Sequence, residues 1–326
     1  MDAAIWGTRA AYIGGFDATS NVRAGKLFGI PVAGTHAHAL IQAYQDEYIA
    51  FHKYARRHKD CVFLVDTYDT LKSGIPNAIR VAKELKGKIN FVGIRLDSGD
   101  LAYLSKEARK MLDKAGFKNT KIIASNDLDE KTIVNLKSQG AKIDIWGIGT
   151  KLITAYDQPA LGAVYKLVSI EDDNGNMVDT IKISSNPEKV STPGLKRIYR
   201  IINRLNKKSE GDYIALEDEK PQDEKRLKMF HPTYTFVSKF VTDFEARELH
   251  HIIFKNGKLC YKLPELFEIR EFTKENLELL WEEYKRSMLP EDYPVDLSQA
   301  CWENKMHKIE SVKEKVKKMI NNENSF

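Results

Sequence analysis

The sequence predicts an α/β fold: an irregular or incomplete (β/α) barrel joined to a smaller α+β region and C-terminal helices. Between residues 29 and 170, short apolar strands alternate with single segments of helical spacing, which is typical of a parallel sheet covered on both faces. Five strands end in polar clusters, and in a barrel all such ends meet at one face. An open sheet would spread them along an edge, so the barrel is favoured, although the strands are too few for a set of eight.

The predicted elements follow from apolar spacing and turn residues. The strands are 30–34, 62–65, 89–94, 121–124, 143–147 and 161–168, and the helices are 22–28, 38–57, 71–85, 101–115 and 129–139. Beyond residue 170 we expect a hairpin of 163–170 with 177–183, a turn-rich excursion over 206–228, β segments at 233–241 and 250–261, and helices at 274–288 and 297–321. This change of character predicts a barrel-like core over 1–200 and an α+β and helical region over 201–326.

Composition excludes several classes of protein. The 326 residues are 42% hydrophobic and 30% charged, as in soluble globular proteins. No apolar stretch approaches the roughly 20 residues that cross a bilayer, and the first residues lack the order of a signal peptide, so we expect a cytoplasmic protein without membrane contact. The net charge of +5 is compatible with phosphorylated substrates but too weak and diffuse to indicate nucleic acid. The three isolated cysteines indicate buried free thiols.

The loop after the predicted strand 89–94 is unusually rich in chemically capable groups. It holds Arg95, Asp97, Ser98, Gly99 and Asp100 in six residues. The carboxylates could hold a divalent metal or accept from ribose hydroxyls, and the arginine could bind a phosphate with two hydrogen bonds. Alternatively, Ser98 and Asp100 only cap the next helix.

Two histidines follow the first predicted strand. Strand alternation would send His36 and His38 to the same side, toward the site. Two imidazoles beside carboxylates could bind a metal, act as acid or base, or accept a phosphoryl group. No zinc-ligand spacing is present, so phosphate chemistry is favoured over a metal cage.

Other strand ends carry weaker signals. Gly147, Gly149 and Thr150 follow a strand, where backbone amides can approach a phosphate, although glycines also serve tight turns. Asp66 and Asp69 could form a second carboxylate pair, but capping is favoured for Asp69. Further candidates are Asp127 and Asp129 as turn and cap residues, Ser125 and Asn126 as site-lining residues, and residues 17–21 as either a plain helix cap or an anion site.

Taken in order, these clusters resemble the nicotinate phosphoribosyltransferase family. The resemblance rests on residues 18–22 (ATSNV), 34–38 (GTHAH), 66–70 (DTYDT), 95–100 (RLDSGD), 125–127 (SND), 147–150 (GIGT), 162–168 (GAVYKLV) and 193–200 (PGLKRIYR). Each motif alone is weak, but the ordered set is specific and runs through nearly the whole chain.

The resemblance implies that nicotinate and phosphoribosyl pyrophosphate give nicotinate mononucleotide and pyrophosphate, with ATP as co-substrate, Mg2+ as cofactor and a homodimer as the working unit. By position, His38 matches the histidine that ATP phosphorylates. Arg95 and Asp97, with Ser98, Gly99 and Asp100, match the donor and cofactor loop, and Asp97 and Asp100 are the implied metal ligands. The 5′-phosphate is expected at Gly147, Gly149 and Thr150, and nicotinate beside Thr19 and Ser20.

The chain departs from the family pattern in one respect. The family's amino-terminal region, with a tyrosine and an arginine that hold the pyridine carboxylate, has no counterpart here, so the first barrel strands are expected to be missing. Three alternatives stay open: a phosphoribosyltransferase for nicotinamide or quinolinate, a noncatalytic chain that binds the donor or a partner subunit, and an aldolase-like barrel using Lys151.

Overall fold

The structure is a computed structural model that describes residues 2–323. It divides into two compact units at Leu161/Gly162, and each is described separately. The predicted boundary at residue 200 falls within a strand of the second unit, Lys196–Asn203. No helix in the described part of the chain is long and apolar enough to cross a membrane.

The first unit is built on a four-stranded sheet whose strands are all parallel and lie in sequence order. They are β1 (Asp60–Leu64), β2 (Asn90–Leu96), β3 (Lys121–Ala124) and β4 (Ile145–Trp146). This arrangement confirms a mixed α/β fold in which helices follow successive parallel strands. The carboxyl ends of the four strands therefore lie at one edge, where the polar clusters follow them.

Four helices of this unit begin at a residue whose polar side chain caps them. Asn21, Asp46, Asp100 and Asp129 each accept a hydrogen bond from an amide in the first turn. The helices are α1 (Asp2–Ile13), α2 (Val22–Phe28), α3 (His38–Tyr44), α4 (Glu47–Ala55), α5 (Ile75–Glu84), α6 (Leu101–Lys114), α7 (Glu130–Ser138) and α8 (Thr150–Ile153), and a π-helical turn, Thr70–Gly74, precedes α5.

Two sequence predictions in this unit are wrong, and so is a third for the residues that follow it. The single helix predicted over 38–57 is instead two helices, α3 and α4. Gln45 adopts a left-handed backbone conformation that ends α3, and Asp46 caps α4. Residues 30–34 form no strand, since Val32 makes only an isolated bridge with Thr19. Residues 161–168 form no strand, and strand pairing starts only at β5 (Ser169–Glu171), next to a hydrogen bond from the Thr180 amide to the Val168 carbonyl.

The core of the first unit lies between the sheet and the helices that cover it. Phe63, Ile94 and Ile122 on successive strands are fully buried, and Phe51 of α4 and Leu112 of α6 pack with them. Removing this apolar surface from water is the main stabilising contribution to such a layer. The strand ends are thereby held on a rigid support.

The second unit contains a six-stranded sheet in the order β10-β9-β14-β8-β7-β11. Its strands are β7 (Lys196–Asn203), β8 (Ser209–Leu216), β9 (Arg226–Phe230), β10 (Ser238–Thr242), β11 (Phe244–Glu248) and β14 (Val295–Leu297). Two small hairpins, β5 with β6 (Met177–Asp179) and β12 (Phe254–Lys255) with β13 (Lys258–Leu259), accompany it, and the helices are α9 (Leu266–Glu278) and α10 (Gln299–Glu323).

The turn-rich excursion predicted over 206–228 is wrong, because β8 and the start of β9 lie in it. Along β8 the buried positions are Ser209, Gly211, Tyr213 and Ala215. Ser209 is polar and Gly211 has no side chain, so the buried positions do not form a run of alternating apolar residues. The sequence pattern therefore did not reveal the strand. The hairpin over 163–183 is confirmed in shorter form. The helix predicted over 274–288 is displaced, since α9 ends at Glu278 and a 3-10 turn, Glu282–Lys285, follows it.

Candidate functional site

Polar side chains from three segments meet at the carboxyl ends of β1 and β2. Asp66 lies two residues beyond β1, Asp97 directly follows β2, and His38 is the first residue of α3. Arg95 lies within β2 near its end. Neighbouring parallel strands end at the same edge of a sheet, so these residues, far apart in sequence, become neighbours. We call His38, Asp66, Arg95 and Asp97 the His38 cluster.

The imidazole of His38 lies between a hydroxyl and two carboxylates. Its Nδ1 is 2.9 Å from Oγ1 of Thr67. Its Nε2 is 3.5 Å from Oδ2 of Asp97 and 4.0 Å from Oδ1 of Asp66. These contacts on both nitrogens orient the imidazole. The side chain is nevertheless 35% exposed, so a ligand can reach it.

Asp66 is the buried carboxylate that organises the loop after β2. Only 2% of its side chain is exposed. Its Oδ2 accepts from the Asp97 amide at 2.9 Å and from the Ser98 hydroxyl at 2.6 Å. Its Oδ1 is buried, faces His38 and accepts no hydrogen bond among the described residues. The cap favoured for Asp69 is confirmed, because its side chain accepts from the Lys72 amide at 2.9 Å at the start of the π-helical turn, and the alternative of a carboxylate pair with Asp66 is not seen.

Asp97 is held by hydrogen bonds from two other side chains. Ser125 donates to its Oδ1, and Arg95 donates to its Oδ2 at 3.3 Å. Burial alone would raise the pKa of Asp97, but the Ser125 hydrogen bond and the charge and hydrogen bond of Arg95 outweigh it, so the pKa is lowered. Arg95 also donates to Thr35, and its Nε is buried without a described partner. Asp97 therefore stays ionised at neutral pH beside a fixed guanidinium.

The remaining residues of this loop have distinct positions. Asp100 caps α6, accepting from the Tyr103 amide at 2.9 Å, and is exposed. Ser98 binds Asp66 and does not cap the helix, so only the Asp100 half of the capping alternative is correct. Gly99 has φ of 77°, a left-handed conformation that other residues rarely adopt. The tight turn between β2 and α6 thus depends on this glycine.

The prediction that His36 points to the same side as His38 is wrong. His36 is buried at 8% exposure, and its Nε2 accepts from the Leu64 amide at 3.2 Å. Burial lowers the pKa of His36 to about 4. Strand alternation does not apply here, because Ala37 is the extended residue before a helix and no strand precedes it. His36 therefore faces the core and His38 faces the cluster.

The other sequence candidates lie in separate positions. The Gly147 amide donates to the Ala124 carbonyl at 2.8 Å, and a Cβ on Gly147 would be 3.3 Å from Cβ of Ser125, the partner of Asp97. Gly149 and Thr150 are exposed at the start of α8. In the α2 cap, Thr19 accepts from the Asn21 amide at 3.0 Å and Ser20 is exposed. The described contacts do not join Thr19, Ser20, Gly149 or Thr150 to the His38 cluster.

Lys151, the lysine of the aldolase-like alternative, forms an ion pair. Its Nζ lies 2.5 Å from Oδ2 of Asp129. This hydrogen bond raises the pKa of Lys151, whereas a Schiff-base lysine must lose its proton near neutral pH. The geometry therefore does not support that alternative.

The sequence indicated Asp66 only as half of a possible carboxylate pair and gave no signal for a role of Thr35 or Thr67. Each lies within one of the quoted motifs, but their contacts depend on how the segments meet in space. Between residues 2 and 323, no three His, Cys, Asp or Glu side chains group closely enough to hold a metal ion by themselves. A cation at the cluster would therefore take its further ligand atoms from water or from a bound substrate.

Comparison with known proteins points to one family. Models of the nicotinate phosphoribosyltransferase family and of its C-terminal domain match residues 5–207 and 195–305. The nicotinate phosphoribosyltransferase of Bacillus subtilis is 71% identical over 323 residues, covering 99% of this chain and 66% of that protein. The Dictyostelium discoideum enzyme of the same name is 38% identical over 362 residues, covering 93% and 60%.

A solved structure gives the same result. The crystal structure of human nicotinic acid phosphoribosyltransferase superposes with a TM-score of 0.71 at 26% identity, covering 90% of this chain and 65% of that chain. The chain thus spans less than two thirds of the length of each of these three relatives, from 60% to 66%.

Proposed function

We propose, since this chain belongs to the nicotinate phosphoribosyltransferase family, that it takes part in forming nicotinate mononucleotide and pyrophosphate from nicotinate and phosphoribosyl pyrophosphate. The observation that carries the proposal is the His38 cluster, in which a histidine, an arginine and two carboxylates meet at adjacent strand ends. The reaction belongs to NAD salvage, and ATP is the proposed co-substrate.

In the transfer step, the pyridine nitrogen attacks C1′ of the ribose. The new N–C1′ bond forms as the C1′–O bond to pyrophosphate breaks, and the leaving group takes the electron pair. Positive charge develops on the ribose and negative charge on the pyrophosphate, so fixed charges are more useful here than a protein nucleophile. Arg95 is suited to bind the donor, because Thr35 and Asp97 fix its guanidinium beforehand.

The residues of the cluster fit Mg2+, which commonly takes one or two carboxylates together with substrate phosphates. Asp97 and Asp100 are the ligands that the resemblance implies. The geometry favours Asp66, rather than Asp100, as the second ligand beside Asp97. Asp66 has a buried Oδ1 without a hydrogen bond, whereas the Asp100 side chain caps α6. When bound, the cation would neutralise charge on the pyrophosphate.

His38 is the proposed acceptor of the γ-phosphoryl group of ATP. The two carboxylates on the Nε2 side favour a proton there, which leaves the Nδ1 lone pair facing the Thr67 hydroxyl. In the phosphoryl transfer an N–P bond forms on the imidazole while the P–O bond to ADP breaks. Attack of water on the phosphohistidine later releases phosphate and returns His38 to its starting state.

The remaining parts of the proposal rest on family resemblance. Gly147, Gly149 and Thr150 would bind the 5′-phosphate of the donor, with Gly147 next to Ser125 of the Asp97 network. Thr19 and Ser20 would lie beside nicotinate, the four-stranded sheet would be part of a (β/α) barrel, and the working unit would be a homodimer.

The test is product formation from nicotinate and phosphoribosyl pyrophosphate, with and without ATP, by the wild type and by His38→Ala. We expect ATP to raise the rate in the wild type and to have no effect in His38→Ala. His307→Ala, which changes an exposed histidine of α10, is the matched control and should behave as the wild type. A folded wild-type chain that binds the donor but forms no product would refute the proposal and indicate a noncatalytic donor-binding chain.

A further inference from the structure

We propose that His36 is a positioning residue: its buried imidazole accepts the hydrogen bond of a buried amide on the edge strand β1 and so fixes the start of α3, which carries His38. The inference goes beyond the reaction itself, and only its link to ATP use rests on the proposed function.

The first observation is the hydrogen bond that His36 accepts. Strand β1 is the edge strand of the sheet, with β2 on one side only. The Val65 amide donates to the Arg95 carbonyl across the ladder, so the preceding amide, that of Leu64, points away from β2. Leu64 is fully buried, and a buried amide without an acceptor is costly. Nε2 of His36 supplies the acceptor at 3.2 Å.

The second observation is that the ring of His36 packs against two aromatic rings in addition to its hydrogen bond at Nε2. Its centroid lies 4.9 Å from that of Tyr54 and 5.8 Å from that of Phe51, both on α4. Burial keeps the pKa of His36 near 4, so the ring is neutral at pH 7 and its Nε2 lone pair stays available. The buried His36 side chain therefore attaches the residue pair before α3 to β1 and α4.

The third observation concerns the neighbours of His36 in sequence. Thr35 accepts from Arg95, and His38 pairs with Thr67 at 2.9 Å. Both contacts are made by partly exposed groups, whereas the contact of His36 with Leu64 is buried. A displacement of this segment would move Thr35 and His38 together, and misplacement of a reacting group by about 1 Å can reduce rate by about 100-fold.

The test compares substitutions that keep or remove the acceptor. In His36→Gln the amide oxygen reaches the place of Nε2, whereas His36→Leu fills the space without an acceptor. We expect the ring ¹⁵N resonances of His38 to change in His36→Leu and to return to wild-type values in His36→Gln. This readout does not depend on activity. In the assay, the ATP-dependent rate increase should fall about 10- to 100-fold in His36→Leu and recover in His36→Gln.

The matched control is Thr120→Val, which removes a buried hydrogen bond, at 3.1 Å to the Phe91 carbonyl, near the amino ends of β2 and β3. It should leave the His38 resonances and the ATP effect unchanged. Wild-type His38 resonances in a folded His36→Leu chain would overturn the proposal. If His36→Leu does not fold, His36→Asn replaces it, because its shorter amide cannot reach Leu64; equal His38 resonances in His36→Asn and His36→Gln would also overturn it.

Discussion

Gly74 ends the π-helical turn before α5, and we predict that Gly74→Ala destabilises the first unit. Gly74 has φ of −59° and ψ of −57°, a helical conformation that alanine adopts readily. Helix propensity alone would therefore make the substitution stabilising by about 1 kcal/mol. The atoms around Gly74 predict the opposite, a loss of free energy of unfolding. A Cβ on Gly74 would be 2.6 Å from the carbonyl carbon of Val65 and 2.9 Å from its Cα, and closer still to the carbonyl oxygen.

The added Cβ would clash with main-chain atoms of Val65, so no side-chain rotation can relieve the clash. Carbon atoms in contact need about 3.5 Å, so the end of β1 and the turn must separate by about 1 Å. Overpacking a close-packed core costs about 1–3 kcal/mol, and we expect the upper part of this range because both partners are main chain in buried positions. Asp66 directly follows Val65, so the displacement should also disturb the His38 cluster.

Urea unfolding measures the free energy change, with Gly34→Ala as the control. A Cβ on Gly34 would have no heavy atom within 4 Å, so that substitution should change the free energy of unfolding by less than about 0.5 kcal/mol. We expect Gly74→Ala to lose about 2–3 kcal/mol and part of its ATP-dependent rate increase. Gly74→Ala as stable as the wild type, or more stable, would refute the steric reasoning.

Three further outcomes are expected. Arg95→Lys keeps the charge but not the two-point hydrogen bonding, so the KM for phosphoribosyl pyrophosphate should rise at least about tenfold, and an unchanged KM would contradict the donor-binding role. In Asp129→Asn the free energy of unfolding should depend less on pH below about 4 than in the wild type, as measured by urea unfolding across that range. The Lys151 hydrogen bond lowers the folded-state pKa of Asp129, so this carboxylate stabilises the protein above its unfolded pKa and the contribution is lost as pH falls through the folded value. Asp212→Asn weakens a two-point pair with Arg200 in the second unit, so the free energy of unfolding should fall by about 1–3 kcal/mol in the same assay; no loss would show that the pair contributes nothing.

The sequence predicted the parallel strands of the first unit well, because each is a short apolar run between polar turns. The strand at Lys121–Ala124 has the predicted bounds, and β1 and β2 differ from theirs by two residues or fewer at either end. The strand predicted at 30–34 failed because apolar character does not supply a hydrogen-bonding partner. In the structure the edge amide that such a strand would meet is taken by the ring of His36.

The chemistry of the site was partly readable from sequence. His38, Arg95 and Asp97 were predicted as site residues, and the structure brings these three together. The role of Asp66 was not readable, because it depends on a backbone amide and a hydroxyl from a loop about thirty residues later. Capping and ligand binding use the same residue types, so only the contacts distinguish Asp66 from Asp69.

The charges in the His38 cluster explain why a phosphorylated ligand would need more than the protein offers. Asp66 and Asp97 bring two carboxylates within 4.0 Å of Nε2 of His38, and the guanidinium of Arg95 is paired with one of them. A polyphosphate approaching His38 therefore meets net negative charge, which disfavours binding in a partly buried site. A divalent cation held by Asp66 and Asp97 would reduce this repulsion. On the proposed function, the carboxylates that orient His38 would therefore also be the groups that hold Mg2+, and Oδ1 of Asp66, which is buried and accepts no hydrogen bond among the described residues, would be available to it.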